Sequence, residues 1–279
     1  MKFSVLLSVY KKENPEYLKA CLESLRTQTL LPDEVVLVED GPLTKDLKTV
    51  IAGFKKSLPV KSVVLRENKG LSHALNAGMR ECSNQWVARM DTDDICVPHR
   101  LEKTAAFVRT HPAVDIVGTF ATRIDEKGKV LDQIKVPTQP ERIRKLIWTC
   151  PMIHPSVCFK RDKILRIGGY STEAGPRQDD YELWFRCAYA GYEFRNIPEP
   201  LLLYRFTYSN MRRNDFRVGY HQLKNGFKGN RMLGKGPVAY LGVMIPFFRS
   251  LLPYPLNMWF YQLQNKINPR IMKEKHPMQ

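Results

Sequence analysis

The chain has 279 residues, of which 43% are hydrophobic and 26% are charged, a composition typical of a folded protein with a substantial core. Its 44 Lys and Arg residues outnumber its 28 Asp and Glu residues, which gives a formal net charge of +16. This charge calls for an anionic partner: nucleic acid, nucleotide phosphate or acidic lipid. The six cysteines include no C-x-x-C pair and no His at zinc-finger spacing, which argues against a zinc finger and favours reduced thiols of a cytosolic protein.

Strands and helices are predicted to alternate through residues 3–90. The apolar run at 3–9 predicts a buried strand, and residues 15–28 place apolar side chains at helical spacing, with Asn14 as N-cap and Pro15 in the first turn. Five further elements follow: a strand at 34–41, a helix near 44–57, a strand near 61–66, a helix near 71–82 and a strand at 86–90. This alternation predicts right-handed βαβ units, and therefore an α/β fold with a parallel sheet.

Polar residues follow three of the predicted strands, at positions 8–10, 39–41 and 91–94. These clusters are far apart in the sequence. Because ligands of a parallel sheet bind beyond the carboxyl ends of its strands, we expect the three clusters to meet at one edge of the sheet.

The cluster at 91–94 contains three aspartates, Asp91, Asp93 and Asp94. Three carboxylates at a strand end suit a hard divalent cation, Mg²⁺ or Mn²⁺, which binds oxygen ligands and accepts a phosphate as another. The alternative is that Asp93 and Asp94 cap a helix that residues 98–109 predict. The chain has no G-x-G-x-x-G and no G-x-x-x-x-G-K-[ST], which argues against a dinucleotide dehydrogenase and a P-loop enzyme.

Six segments between Ser4 and Arg205 carry a more specific pattern. In order, they are "SVLLSVYKKENPEYLKACLESLRTQT", "DEVVLVEDGP", "NKGLSHALNAGM", "ARMDTDDICVPHRLEK", "IHPSVCFKRDKILRIGGY" and "QDDYELWFRCAYAGYEFRNIPEPLLLYR". Together they resemble the family 2 glycosyltransferases, the inverting enzymes of the GT-A fold, and most closely the bacterial members that build surface polysaccharides.

The resemblance implies a GT-A nucleotide-diphospho-sugar transferase fold, a Rossmann-like and mainly parallel sheet flanked by helices, with a C-terminal helical extension. It implies a catalytic domain over residues 1–205, with a nucleotide-binding half at about 1–110 and an acceptor half at about 111–205, followed by a basic amphipathic extension over 206–279. The implied activity is inverting transfer of a hexose, with galactose or glucose favoured, from a UDP-sugar to a saccharide acceptor on a polyprenyl diphosphate.

The resemblance also implies the residues that face the donor. The nucleotide-facing positions fall on Ser8, Tyr10, Asp40, Lys69 and Asn76, and Lys69 and Asn76 have surface positions as their alternative.

The D-x-D motif of the family falls on Asp91 and Asp93. The resemblance makes Asp93 the direct ligand of Mn²⁺ or Mg²⁺ and places Asp91 nearer the ribose or diphosphate. Asp94 is a further acid beside the metal.

In "QDDYELW" the family usually has Glu-Asp, so Asp180 falls on the catalytic base and Asp179 on the Glu position. Which of the two carries the reaction stays open. A sugar hydroxyl is a poor nucleophile at neutral pH, and an ionised aspartate accepts its proton as attack proceeds. A single in-line displacement then inverts the anomeric centre.

Four residues fall on acceptor-side positions of the family, and each has a structural alternative. They are His154, Gly169, Tyr170 and Trp184. A structural His, a glycine turn and a core tryptophan are the alternatives, and for Trp184 the core is favoured because Leu183 and Cys187 share its helical spacing.

Arg205 matches an Arg of the family, but Thr207 stands where many relatives place a His that contacts the metal or the diphosphate. Arg212 and Arg213 are candidates to supply positive charge to the diphosphate instead.

The C-terminal quarter is basic and partly apolar. Residues 206–279 carry twelve Lys or Arg against two acids, and residues 236–263 are apolar and aromatic but interrupted by Pro246, Arg249, Pro253 and Pro255. These interruptions disfavour a spanning helix and favour short interfacial helices on anionic lipid. We therefore expect a cytoplasmic protein bound peripherally to the inner face of the plasma membrane through 236–275, with packing of this segment on the catalytic domain as the alternative.

Two other function classes remain as alternatives. A nucleic-acid-binding protein is suggested by the basic charge, but no recognised motif supports it, and no nucleic-acid partner is expected. The other alternative is a different metal-dependent nucleotide enzyme, such as a nucleotidyltransferase. Such enzymes commonly have a glycine-rich basic loop after the first strand, and this chain lacks that loop, since residues 8–10 are Ser-Val-Tyr.

Overall fold

The computed structural model describes residues 1–206 and 215–253, and the single positions 256, 260, 269 and 270. The strands of these residues are β1 (Phe3–Val9), β2 (Glu34–Glu39), β3 (Val60–Val64), β4 (Trp86–Arg89), β5 (Ile95–Cys96), β6 (Ile116–Ile124), β7 (Val130–Ile134), β8 (Cys158–Lys160) and β9 (Phe194–Arg205). The helices are α1 (Pro15–Arg26), α2 (Lys45–Phe54), α3 (Leu71–Glu81), α4 (Arg100–Thr110), α5 (Pro140–Lys145), α6 (Arg161–Arg166), α7 (Asp179–Tyr189), α8 (Phe216–Met232) and α9 (Pro237–Ser250).

The strands form one mixed sheet in the order β3-β2-β1-β4-β8-β6-β9-β5, with β7 paired to β6. The pairs β1–β2, β1–β4 and β2–β3 are parallel, as the alternation of strands and helices predicts. Strand β8 runs antiparallel between β4 and β6, and the long β9 runs parallel to β6. The expected α/β architecture, a mainly parallel sheet flanked by helices, is confirmed.

Each face of the sheet is covered by its own hydrophobic layer. Alternate residues of β1 divide between them: Val5 and Leu7 pack with α1, α2 and α4, whereas Leu6 packs with α3 and α7. A strand covered on both faces is mostly apolar, which is why Val5, Leu6 and Leu7 at the centre of β1 are apolar in succession.

The element boundaries follow local chemistry. The side chain of Asn14 accepts a hydrogen bond from the Glu16 N–H, so the predicted N-cap of α1 is confirmed. Strand β2 ends at Glu39, two residues earlier than predicted, because Gly41 turns the chain with a φ of 83°. Helix α1 likewise ends at Arg26 rather than residue 28.

Helices α8 and α9 pack on residues between β6 and α7. The side chain of Asn225 on α8 donates a hydrogen bond of 2.8 Å to the Ala174 carbonyl, and Gly242 on α9 lies directly against the Trp148 ring. The division into a catalytic domain and an extension at residue 205 stays a prediction. Within the described parts of the chain, no helix is both long enough and apolar enough to cross a membrane.

Gly78 allows α3 to approach the sheet, because a Cβ at this position would meet the Leu6 side chain and lie 2.6 Å from Val38 Cγ2. Gly78→Ala should therefore lower the free energy of unfolding by about 1–3 kcal/mol through overpacking. Gly53 in α2 is exposed, with no atom within 4 Å of an added Cβ. Gly53→Ala should raise stability by about 0.5–1 kcal/mol through helix propensity. Urea denaturation measures both, and equal effects of the two variants would contradict the close approach of α3.

Candidate active site

Three adjacent parallel strands bring the predicted polar clusters to one edge of the sheet. Ser8 lies near the end of β1, Asp40 directly follows β2, and Asp91 follows β4 after one further residue. Since β1 pairs with both β2 and β4, these carboxyl ends are neighbours. The convergence expected from the sequence is confirmed.

Two adjoining cavities open at this edge. The smaller, of about 400 Å³, is lined by residues that include Ser8, Tyr10, Asp40 and Asp93. The larger, of about 560 Å³, is lined by residues that include Lys69, Arg89, His154, Asp179 and Asp180. Five residues line both cavities: Gly70, Leu71, Asp91, Arg177 and Tyr204.

Asp91 therefore stands where the two cavities meet, with the predicted nucleotide-facing residues on one side and the predicted base on the other. Its side chain is about one-third exposed and makes an ion pair with the buried guanidinium of Arg89.

Asp40 organises one wall of the smaller cavity. Its two carboxylate oxygens accept hydrogen bonds from the backbone N–H groups of Lys69 (2.8 Å) and Gly70 (3.0 Å), immediately before α3. Gly70 has a φ of 89°, a conformation that favours glycine. The side chain of Lys69 is half-exposed and lies 3.3 Å from Glu67. Asp40 thus joins the end of β2 to the start of α3 while it lines the smaller cavity.

The three aspartates after β4 form a compact acidic cluster. Oxygen atoms of Asp91, Asp93 and Asp94 all lie within 4.8 Å of one another. Arg205 at the end of β9 holds this loop: its backbone N–H donates to Asp94 Oδ1 (2.8 Å), and its side-chain Nε donates to the Asp93 carbonyl (2.8 Å). The guanidinium of Arg205 also stacks 4.1 Å above the Tyr17 ring.

Crowding and burial favour the protonated carboxyl groups in this cluster. Burial, together with the charge of Asp91, raises the pKa of Asp93 to about 6. Burial and the charges of Asp93 and Asp91 raise the pKa of Asp94 well above its ordinary value. Desolvation and like-charge repulsion both penalise the ionised form, so a bound cation would stabilise it.

The donor set fits a divalent cation. All ligand atoms are carboxylate oxygens, and Asp94 Oδ2 is fully buried without a hydrogen-bond partner. The alternative, in which Asp93 and Asp94 cap the next helix, is wrong, because α4 begins after His99 and has no side-chain cap. Asp94 itself lines neither cavity, so Asp91 and Asp93 are the members that face the open space.

The second carboxylate pair lies in the first turn of α7. Asp179 Oδ1 accepts a hydrogen bond from the Ser72 hydroxyl of α3, and Asp180 Oδ2 accepts one from the Cys150 thiol, with a sulfur–oxygen distance of 3.5 Å. Burial and the charge of Asp179 raise the pKa of Asp180 above its ordinary value, although the charge of Arg89 opposes this rise. Asp180 is thus a stronger base than the aspartate of ordinary pKa that the sequence led us to expect.

Asn76, Gly169 and Tyr170 line neither cavity, and their nucleotide-side and acceptor-side roles stay predictions. Asn76 exchanges two hydrogen bonds with the backbone of Tyr170, at 2.7 and 2.8 Å, and so clamps α3 to the loop before α7. Gly169 has a φ of 68°, and a Cβ there would collide with the Asn76 amide. Tyr170 is buried, and its hydroxyl lies 2.8 Å from His154 Nε2.

Trp184 also lines neither cavity: its ring is fully buried and contacts His154 and Phe194 edge-on. The core position favoured from its helical spacing is confirmed. His154 does line the larger cavity, but it is largely buried, and burial lowers its pKa well below the ordinary value, so its ring is neutral at pH 7.

Arg89, Cys150 and Arg177 are among the lining residues that were not singled out from the sequence. Arg89 could have been recognised in the sequence as a candidate site residue, because it is a charged residue inside an otherwise apolar predicted strand. Cys150 and Arg177 have positive φ values of 55° and 60°, which the sequence does not reveal. Thr207, Arg212 and Arg213 lie outside the described residues.

A mainly parallel α/β sheet with acidic clusters at its carboxyl edge is the arrangement expected of a GT-A transferase. Residues 4–168 match the family described as Glycosyl transferase family 2, so the chain belongs to this family and is a glycosyltransferase. The resemblance seen in the six segments is therefore confirmed, and family membership excludes the nucleotidyltransferase and nucleic-acid-binding alternatives as the main activity.

Curated relatives carry glycosyltransferase names. An uncharacterized glycosyltransferase of Haemophilus influenzae is 44% identical over 74% of this chain and 76% of its own length. The amylovoran biosynthesis glycosyltransferase AmsE of Erwinia amylovora is 42% identical over 73% and 76%. The UDP-Gal:alpha-D-GlcNAc-diphosphoundecaprenol beta-1,3-galactosyltransferase of Escherichia coli is 33% identical over 76% and 77%.

Solved structures share the fold at low sequence identity. S. aureus TarS 1-349 in complex with UDP-GlcNAc superposes with a TM-score of 0.66 at 16% identity, covering 90% of this chain and 72% of the 1-349 chain. The mannosyltransferase PcManGT of Pyrobaculum calidifontis, in complex with GDP-Man and Mn2+, gives 0.63 at 19% identity, covering 95% and 75%. These likenesses confirm the GT-A fold.

Asp93→Asn should raise the free energy of unfolding of the metal-free protein at pH 7 by about 1–3 kcal/mol. Since the pKa of Asp93 is raised to about 6, its contribution favours folding in acid and is lost as the pH rises toward 6. The gain from the amide should therefore vanish near pH 4 and be complete above about pH 6. Urea denaturation in EDTA between pH 4 and 8 measures it.

Glu67→Gln, at an exposed carboxylate, is the control and should change stability little at any pH. An Asp93→Asn variant that is less stable than the wild type at pH 7 would contradict the repulsion argument.

Proposed function

We propose that the protein is an inverting, metal-dependent transferase that moves a hexose from a UDP-sugar to a lipid-linked saccharide during assembly of a bacterial surface polysaccharide. The observation that carries this proposal is the position of Asp91 between two adjoining cavities. Asp93 of the acidic cluster lines the smaller cavity, and the candidate base Asp180 lines the larger one. A donor whose diphosphate and sugar occupy the two cavities would have its anomeric carbon between these groups.

The smaller cavity is assigned to the nucleotide. It is lined by Tyr10, by Ser8 and by Asp40, whose carboxylate is already fixed by two N–H groups of the α3 start. A UDP donor is supported by the names of the TarS complexes, with UDP and UDP-GlcNAc, and of the galactosyltransferase relative. Galactose or glucose remains the favoured sugar.

The acidic cluster is assigned to Mn²⁺ or Mg²⁺, held by Asp93 and Asp91 with Asp94 behind them. A cation bound there would act as a Lewis acid that stabilises the charge of the departing diphosphate. Arg205 would keep the carboxylates in place through its bonds to Asp94 and to the Asp93 carbonyl. The PcManGT complex with Mn2+ supports a metal in this fold.

Asp180 is assigned as the base. Its raised pKa strengthens the carboxylate as a proton acceptor, and the Cys150 thiol donates to one of its oxygens, which leaves the other for the acceptor hydroxyl. Asp179, bonded to Ser72, is assigned to positioning between α7 and α3. Attack from the side opposite the diphosphate would invert the anomeric centre in one step.

The acceptor is assigned to the larger cavity, whose lining includes His154 and Arg270. Arg270 belongs to the basic C-terminal segment, and a cation there suits an acceptor that carries a diphosphate. The relative named for GlcNAc-diphosphoundecaprenol supports a lipid-linked acceptor, and the amylovoran and O-antigen biosynthesis relatives support a role in polysaccharide assembly.

The direct test is a panel of UDP-sugars with Mn²⁺ and a synthetic lipid-diphosphate saccharide, scored by UDP release and product mass. Asp180→Asn should lower kcat by about 10²–10⁴-fold, since the amide cannot accept the proton, while UDP binding changes little. EDTA should abolish transfer by the wild type. Asp162→Asn, at an exposed carboxylate, is the matched control and should retain activity. Near-full activity of Asp180→Asn would overturn the base assignment.

We further propose that α9 rests on the anionic inner leaflet and so brings the site to its lipid-linked acceptor. Its outer face presents Val238, Leu241, Ile245 and Phe248 at helical spacing, all exposed, while Val243 is buried on the inner face. Residues 206–279 carry twelve basic and two acidic residues, and this positive charge complements an anionic surface.

Replacing Leu241 and Ile245 together by Gln should weaken binding to phosphatidylglycerol vesicles by about tenfold or more, because each buried aliphatic side chain contributes about 1.5–3 kcal/mol. Co-sedimentation measures the affinity. Val130 and Leu131 of β7 are also exposed, so the same double replacement there is the control and should leave binding unchanged. Equal loss in both variants, or equal binding to neutral vesicles, would contradict the assigned surface.

A further inference from the structure

Arg89 is a charged side chain in the interior that the proposed mechanism has not used. It is the last residue of β4 and is only 2% exposed, yet it lines the larger cavity. Its Nη2 is paired with Asp91. Its Nε and Nη1 are buried and have no hydrogen-bond partner.

An incompletely bonded guanidinium in the interior is unfavourable, because Nε and Nη1 together carry three N–H groups that have left water. Fully buried arginines with a purely structural role bond their donors to the protein. Arg100 is an example in this chain: equally buried, it donates from Nη2 to the Arg89 carbonyl (2.8 Å) and from Nη1 to the Cys96 sulfur (3.3 Å). Arg100 lines neither cavity.

The position of Arg89 lies between the two reacting ends of the site. On one side it pairs with Asp91, where the cavities meet. On the other side its charge acts on Asp180, since it opposes the rise of the pKa of that carboxyl. The side chain does not line the smaller cavity, which is assigned to the nucleotide and its diphosphate.

The group that lies between the diphosphate and the base is the transferred sugar. Its hydroxyl oxygens are hydrogen-bond acceptors, and they match the N–H groups of Arg89 that lack partners. A bond from a cationic donor to a hydroxyl is stronger than a bond between neutral groups.

We infer that Arg89 is a donor-sugar contact that recognises a hydroxyl group of the hexose, an inference that rests on the proposed function. Arg89 reaches the larger cavity from the end of β4, and its ion pair with Asp91 orients its guanidinium. A site built this way discriminates strongly against a donor that lacks the recognised hydroxyl, because the buried N–H groups are then left unpaired.

The experiment combines variants of Arg89 with deoxygenated donors. The donor is UDP-galactose or UDP-glucose, whichever the wild type uses, and it is compared with analogues that each lack one sugar hydroxyl. In the wild type, the analogue that lacks the recognised hydroxyl should have a kcat/KM about ten- to a hundredfold below that of the full donor. In Arg89→Gln the same deoxygenation should cost less than about threefold, because the partner is already absent. Arg89→Lys keeps the charge and should give an intermediate loss.

Arg100→Gln is the matched control, because it removes an equally buried arginine that lines neither cavity. It should keep the full wild-type penalty for the deoxygenated donor, even if it lowers stability. Binding of UDP alone, measured by calorimetry with Mn²⁺, shows whether each variant retains a folded nucleotide site.

Two failures are distinguishable. If the wild type transfers no sugar from any UDP donor, the proposed function fails. If the wild type is active and every deoxygenation costs the same in the wild type, Arg89→Gln and Arg89→Lys, the donor-sugar contact is overturned while the proposed function stands.

Discussion

The mutual repulsion of three aspartates after β4 is the constraint around which the site is built. Asp91, Asp93 and Asp94 lie close enough that burial and repulsion raise the pKa values of Asp93 and Asp94. Two arginines offset this charge from opposite sides. Arg89 pairs with Asp91 from within β4, and Arg205 holds the loop from the end of β9. The first half of the chain therefore supplies the acidic groups, and the last strand keeps them together.

The candidate base depends on a second set of long-range contacts. Helix α7 presents Asp179 and Asp180 in its first turn, and α3 and the turn after residues 147–149 supply their partners, Ser72 and Cys150. The clamp between Asn76 and Tyr170 keeps the preceding loop against α3. Behind this loop, Asn225 of α8 bonds to the Ala174 carbonyl, so α8 supports the loop that lines the larger cavity. Membrane contact and packing on the rest of the chain do not exclude each other for α9. Its inner face packs through Val243 and Gly242, while its outer face is apolar and exposed.

Much of the fold was predictable because its pattern is local. The continuous apolar runs of β1 and β2, the helical spacing of α1 and the Asn14 cap each reflect interactions among residues close in sequence. The rule that ligands bind at the carboxyl ends of parallel strands then placed Ser8, Asp40 and Asp91 at one edge. The family resemblance did not reveal that Asn76 bonds to the backbone of Tyr170, because a polar side chain in such a segment looks the same in sequence whether it faces a nucleotide or clamps a loop.

By itself, the sequence determined the alternating elements, the acidic strand ends and the family, since these depend on residue type and on short spacings. Tertiary structure alone decided the partners of each functional side chain. Ser72 and Asp179 are 107 positions apart, and the Arg205 backbone and Asp94 are 111 apart. Burial also depends on the packed fold: it is what raises the pKa of Asp180, makes His154 neutral and leaves two nitrogens of Arg89 unpaired. Hydrogen bonds and desolvation act through space, and their distances are set only when the sheet and its helices have closed around the site.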